Sequence, residues 1–108
     1  MIPAANNWNS RTNMSMLTDF YELTMGKGYL EQGLENRIAY FDLFFRQVPE
    51  QGGYAIMAGV EQMIDYLKDL HFTKEDISFL RDNYGFDEDF LSFLEEFKFT
   101  CDVWAIPE

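Results

Sequence analysis

The stretch Leu17-Thr18-Asp19-Phe20-Tyr21-Glu22-Leu23-Thr24-Met25 sets an acid, an aromatic and two hydroxyls at the point where a polar segment gives way to a helix. Residues 1–16 before it are polar, rich in Asn and interrupted by Pro3, so they read as an arm. Thr18 offers an N-cap hydroxyl, and Asp19 and Glu22 fall in the first turn, where negative charge complements the helix dipole. The helix is expected to run to about Gln32 and to stop at Gly33. Gly26 and Gly28 inside it each cost about 1 kcal/mol relative to Ala, and such glycines are expected where another backbone comes close.

Beyond Gly33 the pattern changes period. From Arg37 to Val48 apolar and aromatic residues alternate, with Ala39, Phe41, Leu43 and Phe45 on one face, which reads as a strand. Pro49 to Gly53 form a loop, and Tyr54 to Ala58 a shorter strand expected to be its hairpin partner. Gly52-Gly53 lacks the spacing and the lysine of a phosphate-binding loop and is better explained as a tight turn. Three amphipathic helices follow. The first carries Val60, Met63, Ile64, Leu67 and Leu70. The second opens at Thr73 with Asp76 three residues on, a capping-box arrangement, and ends at Gly85. The last, from about Asp87, puts Phe90, Leu91, Leu94 and Phe97 on its core face and Glu88, Asp89, Glu95 and Glu96 outward. Residues Cys101 to Pro107 read as a final strand. The order helix, two strands, three helices, strand predicts an α+β fold in a single domain over 1–108.

Composition excludes several classes of function. Forty-seven percent of the residues are hydrophobic, which is far from the signature of disorder. Eleven Phe, six Tyr and two Trp are many for a chain of 108 residues, so some are expected to face another domain or subunit. A formal charge of −11, with eight basic residues scattered along the chain, argues against nucleic acid. The same balance means that cations for a pyrophosphorylated ligand would have to come mostly from elsewhere. Cys101 is the single cysteine and has no zinc-type spacing to a His or a second Cys. The acidic residues of the last two helices match no EF-hand loop. There is no signal-peptide pattern and no apolar run near the ~20 residues of a membrane span, so no membrane association and a cytoplasmic location are expected.

Four blocks carry a resemblance: Leu17 to Met25, then Phe41-Asp42-Leu43-Phe44-Phe45-Arg46, Gly52-Gly53-Tyr54-Ala55-Ile56, and Asp102-Val103-Trp104-Ala105-Ile106-Pro107-Glu108. In order and spacing they resemble the opening of nicotinate phosphoribosyltransferases. The resemblance implies the N-terminal domain of a type II phosphoribosyltransferase-like enzyme, whose α/β barrel lies downstream and is absent here. It further implies an N-terminal piece that ends inside a folding unit at Pro107-Glu108. The enzyme of that family joins nicotinate to phosphoribosyl pyrophosphate, with ATP and magnesium in the full-length protein, and works as a homodimer. The isolated piece is expected to bind no cofactor and to be inactive.

Three residues become candidates for substrate binding. By the resemblance, Tyr21 stacks on the nicotinate ring, an offset contact worth ~0.5–1.5 kcal/mol beyond burial, and in related enzymes this tyrosine reaches a neighbouring subunit's site. Without the resemblance Tyr21 reads as a core tyrosine. Asp19 lies roughly 200° around the helix from Tyr21, so the two converge only near the helix start. Its roles are a hydrogen bond in the substrate pocket or compensation of the dipole. Arg46, at the end of the aromatic strand, suits a bidentate contact to phosphate, or else pairs with Asp42 or stays solvated. His71 follows a helix end, where its side chain favours the C-terminal dipole. Phosphorylation by ATP in the family belongs to a histidine further downstream. Two other readings stand beside this one: an acidic interaction domain without chemistry, and the N-terminal part of a nicotinamide-specific relative.

Overall fold

Asp19, in extended conformation (φ −75°, ψ 143°), is the N-cap residue of helix α1 (Phe20–Glu31) in this computed structural model, which describes residues 13–107. The first twelve residues of the expected arm lie outside the described residues. The cap therefore falls one residue later than Thr18. The Asp19 side chain makes no capping hydrogen bond, and Thr18 Oγ1 instead donates to Glu22 Oε2 one turn on. The other end matches its expected stop. Gly33 takes φ +71°, its N–H reaches Leu30 O at 3.1 Å, and Leu34 N–H reaches Tyr29 O at 2.8 Å. These paired bonds form a Schellman closure, which satisfies the last carbonyls and requires a left-handed residue.

Helix α2 (Val60–Lys68) starts after Gly59, and α3 (Lys74–Tyr84) opens with the capping box expected at Thr73. Thr73 N–H donates to Asp76 Oδ2 at 2.9 Å and Asp76 N–H to Thr73 Oγ1 at 3.1 Å. Gly85, at φ +64°, closes α3 by donating to Arg81 O at 3.1 Å. Two residues later Asp87 caps α4 (Glu88–Glu95), its Oδ1 accepting from Phe90 N–H at 2.9 Å. That hydrogen bond is the first cause holding the Asp87 carboxyl below its ordinary range; a further one is Lys27.

Tight capping on both sides of Gly85 folds α3 and α4 back on one another, and the core forms between them. Ile77, Leu80, Phe86, Phe90, Leu91 and Leu94 are buried, with Leu80 and Leu91 each 1% exposed. Burying such a side chain fully is worth about 1.5–3 kcal/mol. Arg81 bridges the pair, with Nε 2.7 Å from Glu88 Oε1 and an Nη 3.0 Å from Oε2. Helix α1 then lies on this unit through Leu23 and Leu30. The Phe20 ring sits 4.7 Å from that of Tyr84 and 5.9 Å from that of Phe86. Lys27 Nζ, hydrogen-bonded to Glu31, also comes within 3.4 Å of Asp87.

The α+β expectation is overturned: the described residues hold four α-helices and one short 3-10 turn (Pro49–Gln51), and none is in a strand. The segments expected to be strands, 37–48, 54–58 and 101–107, run without ladder partners, so the hairpin is absent too. Aromatic and branched composition supplies β-propensity, but a strand exists only when a neighbour takes its N–H and C=O groups. Leu43 is 99%, Tyr40 95% and Trp104 95% exposed. The radius of gyration, 16.7 Å, exceeds the about 13 Å of a compact chain of this length. Only the helical half of the pattern finds its own core.

The glycines of α1 also differ from expectation. A methyl group at Gly26 would meet the Phe90 ring at 3.7 Å, an ordinary contact with a side chain, and at Gly28 would meet nothing within 4 Å. No backbone approaches either position. Gly28→Ala should therefore stabilise this chain by about 0.5–1 kcal/mol through helix propensity alone. Leu80→Ala should destabilise it by about 2–5 kcal/mol, both read from the midpoint of urea unfolding followed by circular dichroism.

Candidate functional site

Tyr21 occupies the first turn of α1, immediately after Phe20 has been drawn onto Tyr84 and Phe86. Successive helical side chains diverge by about 100°, so Tyr21 does not follow Phe20 onto those rings, and it is 58% exposed against 49% for Phe20. Among the described residues the phenol makes no ring contact or hydrogen bond; only the Tyr21 carbonyl is used, accepting from Thr24 Oγ1 at 2.9 Å. A core role for Tyr21 is thus excluded within this chain. Asp19 is exposed beside it, its carboxylate free of capping. The helix start brings these two candidates together as an acid and an aromatic ring, both presented to solvent.

Arg46 lies apart from them in sequence, at a bend between the exposed aromatic segment and the 3-10 turn. It is exposed, and among the described residues it forms no ion pair with Asp42 or with any other acid. The two other basic side chains that matter locally are already engaged. Hydrogen bonding to Glu31 raises the Lys27 pKa, helped by Asp87, and hydrogen bonding to Glu88 raises that of Arg81 while lowering that of Glu88. Committed in this way to carboxylates, Lys27 and Arg81 are poorly placed to serve a phosphate.

Sequence reasoning missed what lies just before the candidate pair. Ser15 is buried, and its hydroxyl donates to the His71 carbonyl at 2.7 Å across a separation of 56 residues. The His71 ring meets Asp69 O through Nδ1 at 2.5 Å and Asn13 Nδ2 through Nε2 at 3.3 Å. The bond to Asp69, the C-cap residue of α2, agrees with the helix-end role read from the sequence. The bonds to Asn13 and Ser15 had one faint signal, a small hydroxyl between Met14 and Met16, as a buried polar residue in an apolar surround. Residues 13–16 are thus docked rather than a free arm.

Two open recesses lie elsewhere. Met14, Ala58, Gly59, Gln62, Met63 and Tyr66 line one, where burial pushes the Tyr66 phenol up. Segments 35–40 and 100–104 face each other across the second. Among the described residues no three His, Cys, Asp or Glu side chains gather as a metal site would need. No helix among them is long and apolar enough to cross a membrane.

The described residues thus form a small helical unit with an exposed tyrosine and acid at the start of α1 and with uncovered apolar segments. Residues 16–108 match the family described as the nicotinate phosphoribosyltransferase (NAPRTase) N-terminal domain, and the chain belongs to it. The chain is 42% identical over 79 residues to the nicotinate phosphoribosyltransferase of Bacillus subtilis, covering 73% of this chain and 16% of that protein. It is 37% identical over 95 residues to nicotinate phosphoribosyltransferase 1 of Arabidopsis thaliana, covering 86% and 17%. With nicotinate phosphoribosyltransferase pncB2 of Mycobacterium tuberculosis the identity is 35% over 94 residues, covering 87% and 20%. The chain thus spans a fifth or less of the length of these relatives.

Ring contacts, more than exposure, separate the adjacent aromatics energetically. Tyr21→Ala should shift the unfolding free energy of this chain by less than about 0.5 kcal/mol. Phe20→Ala, which removes two ring contacts, should cost about 1–2 kcal/mol, measured by the same denaturant titration for both.

Proposed function

We propose that this chain supplies the ring-binding wall of a nicotinate phosphoribosyltransferase, an enzyme that forms nicotinate mononucleotide and pyrophosphate from nicotinate and phosphoribosyl pyrophosphate, on the way to NAD. The observation that carries the reading is Tyr21, exposed and unpartnered at the start of α1 within a segment matched over residues 16–108. A flat pyridine carboxylate is the kind of ligand an exposed phenol ring can stack on. Asp19, one position from the helix start, is suited to accept a hydrogen bond from the ribose hydroxyls or to meet a cation of the partner subunit. Arg46, free of acid partners, is suited to phosphate oxygens.

The chemistry would be displacement at the anomeric carbon: the pyridine nitrogen forms the new bond to C1 of the ribose as the bond from C1 to pyrophosphate breaks, and the pyrophosphate leaves with the electron pair. Such a reaction gains chiefly from positioning and from stabilising charge at the sugar and the leaving group. A wall that fixes the plane of the pyridine contributes to the first of these. With a chain charge of −11, the cations for the second, Arg46 apart, come mostly from outside it. A homodimer with cytoplasmic location, supplied with ATP and magnesium by other parts of the enzyme, completes the reading. No step through ATP or magnesium is derived for the residues of this chain.

The uncovered aromatics at 38–45 and 103–106 also favour a second reading, an acidic docking module with no part in chemistry. One experiment separates the two. The chain is fused to the remainder of the Bacillus subtilis nicotinate phosphoribosyltransferase, in place of the segment it matches, and nicotinate mononucleotide formation is followed. Tyr21→Ala should lower kcat/KM for nicotinate by about tenfold or more, a loss of ~1.4 kcal/mol of transition-state binding, with Asp19→Asn and Arg46→Ala each reducing turnover. The unfused chain should form no product. Unchanged kinetics for Tyr21→Ala in a folded fusion would leave the docking module as the better reading.

A further inference from the structure

Asp19 and Tyr21 hold nothing with their own side chains, so the backbone alone decides where they stand. After them the backbone is fixed by α1, through Phe20, Leu23 and Lys27. Before them it is fixed by a turn in which Leu17 N–H donates to Met14 O at 2.9 Å. That turn is tied to the rest of the molecule at three points: Met16 against the core, Ser15 Oγ on the His71 carbonyl, and Asn13 on the His71 ring. Two of the three are made by one residue.

The ring chemistry of His71 is set by its neighbours. A backbone carbonyl can only accept, so Nδ1 facing Asp69 O carries a proton, and in the neutral ring Nε2 is the acceptor. Nε2 then receives the amide N–H of Asn13, while Asn13 Oδ1 is buried with no partner among the described residues. Asn13 is therefore oriented by this one bond. The Asp69 carboxylate, 3.9 Å from Nδ1, faces the same side of the ring as the carbonyl.

From this geometry we propose that His71, with Ser15, is a positioning residue for the substrate wall: it anchors residues 13–17 on the α2–α3 junction and thereby fixes the backbone that presents Asp19 and Tyr21. The inference rests on the ring-binding reading of Tyr21. It assigns to His71 no contact with substrate and no phosphorylation. Its reach is four to eight residues along the chain, from Ser15 and Asn13 to Asp19 and Tyr21, and the sensitivity of a bound ring to displacement by fractions of an ångström makes a remote anchor matter.

The test uses the same fusion with the Bacillus subtilis enzyme, in the variants His71→Leu, His71→Gln, Ser15→Ala and Tyr21→Ala, with thermal unfolding checked for each. His71→Leu removes both ring hydrogen bonds at similar bulk, Ser15→Ala removes the tether to the carbonyl, and the amide of His71→Gln restores an acceptor for Asn13. His71→Leu and Ser15→Ala should each raise KM for nicotinate by about fivefold to tenfold with kcat little changed, since placement rather than chemistry is disturbed. His71→Gln should recover most of the loss. Added to Tyr21→Ala, His71→Leu should bring no further rise in KM, because it acts through the ring already removed. Unchanged KM in His71→Leu and Ser15→Ala, beside a clear loss in Tyr21→Ala, overturns the positioning role alone. So does a His71→Leu loss that adds in full to that of Tyr21→Ala. Normal kinetics in Tyr21→Ala overturns the ring-binding reading and this inference with it.

Discussion

The packing of Leu80 against Leu91, with Ile77, Phe86, Phe90 and Leu94 around them, is the interaction on which the rest of this molecule depends. It is local, formed by two helices that meet through the short link at Gly85, and the link works because a left-handed glycine ends one helix and an aspartate begins the next. Everything with a longer reach leans on it. Helix α1 reaches it through Phe20, Leu23 and Leu30, and Lys27 reaches Asp87 at its edge. The residues that open α1 are the candidate site, so a core made far along the chain sets the stage for chemistry near its beginning.

A core this small leaves much apolar surface uncovered. The segments around Tyr40 to Phe45, Tyr54 to Met57 and Val103 to Ile106 contribute nothing to it. In water such surface is costly to leave open, and its extent suits the place of this family as one part of a larger protein. In the relatives the matched region is a fifth of the length or less.

Legibility followed the range of the forces involved. Helices α3 and α4 could be read in the sequence because capping boxes, helix stops and the spacing of Phe90, Leu91 and Leu94 act within a few residues. The stop at Gly33 was legible for the same reason. The strands were misread because alternation over 37–48 records which faces are apolar, not whether a neighbour will come to pair with them. For α1 the cap was misplaced by one residue, since Thr18 and Asp19 are both good caps and the choice fell to how Phe20 meets Tyr84 and Phe86. Of the candidate site, Tyr21 and Asp19 were named from the chain alone, whereas their exposure was not, because it depends on which side of α1 the core takes.

The sequence by itself determined where α1 and α3 end and where α3 and α4 begin, the acidic balance, and the family to which the chain belongs, because each is written in short contiguous patterns. Tertiary structure alone decided that the Phe20 ring meets Tyr84 and Phe86 while Tyr21 does not, that Lys27 spends its charge on Glu31 and Asp87, and that Ser15 and Asn13 are held by His71. These are contacts between residues 56 to 64 positions apart in the clearest cases, for Ser15 with His71 and for Phe20 with Tyr84. No local pattern encodes such a pairing: it appears only when the helices have packed and buried polar groups must find partners in whatever the core has brought near.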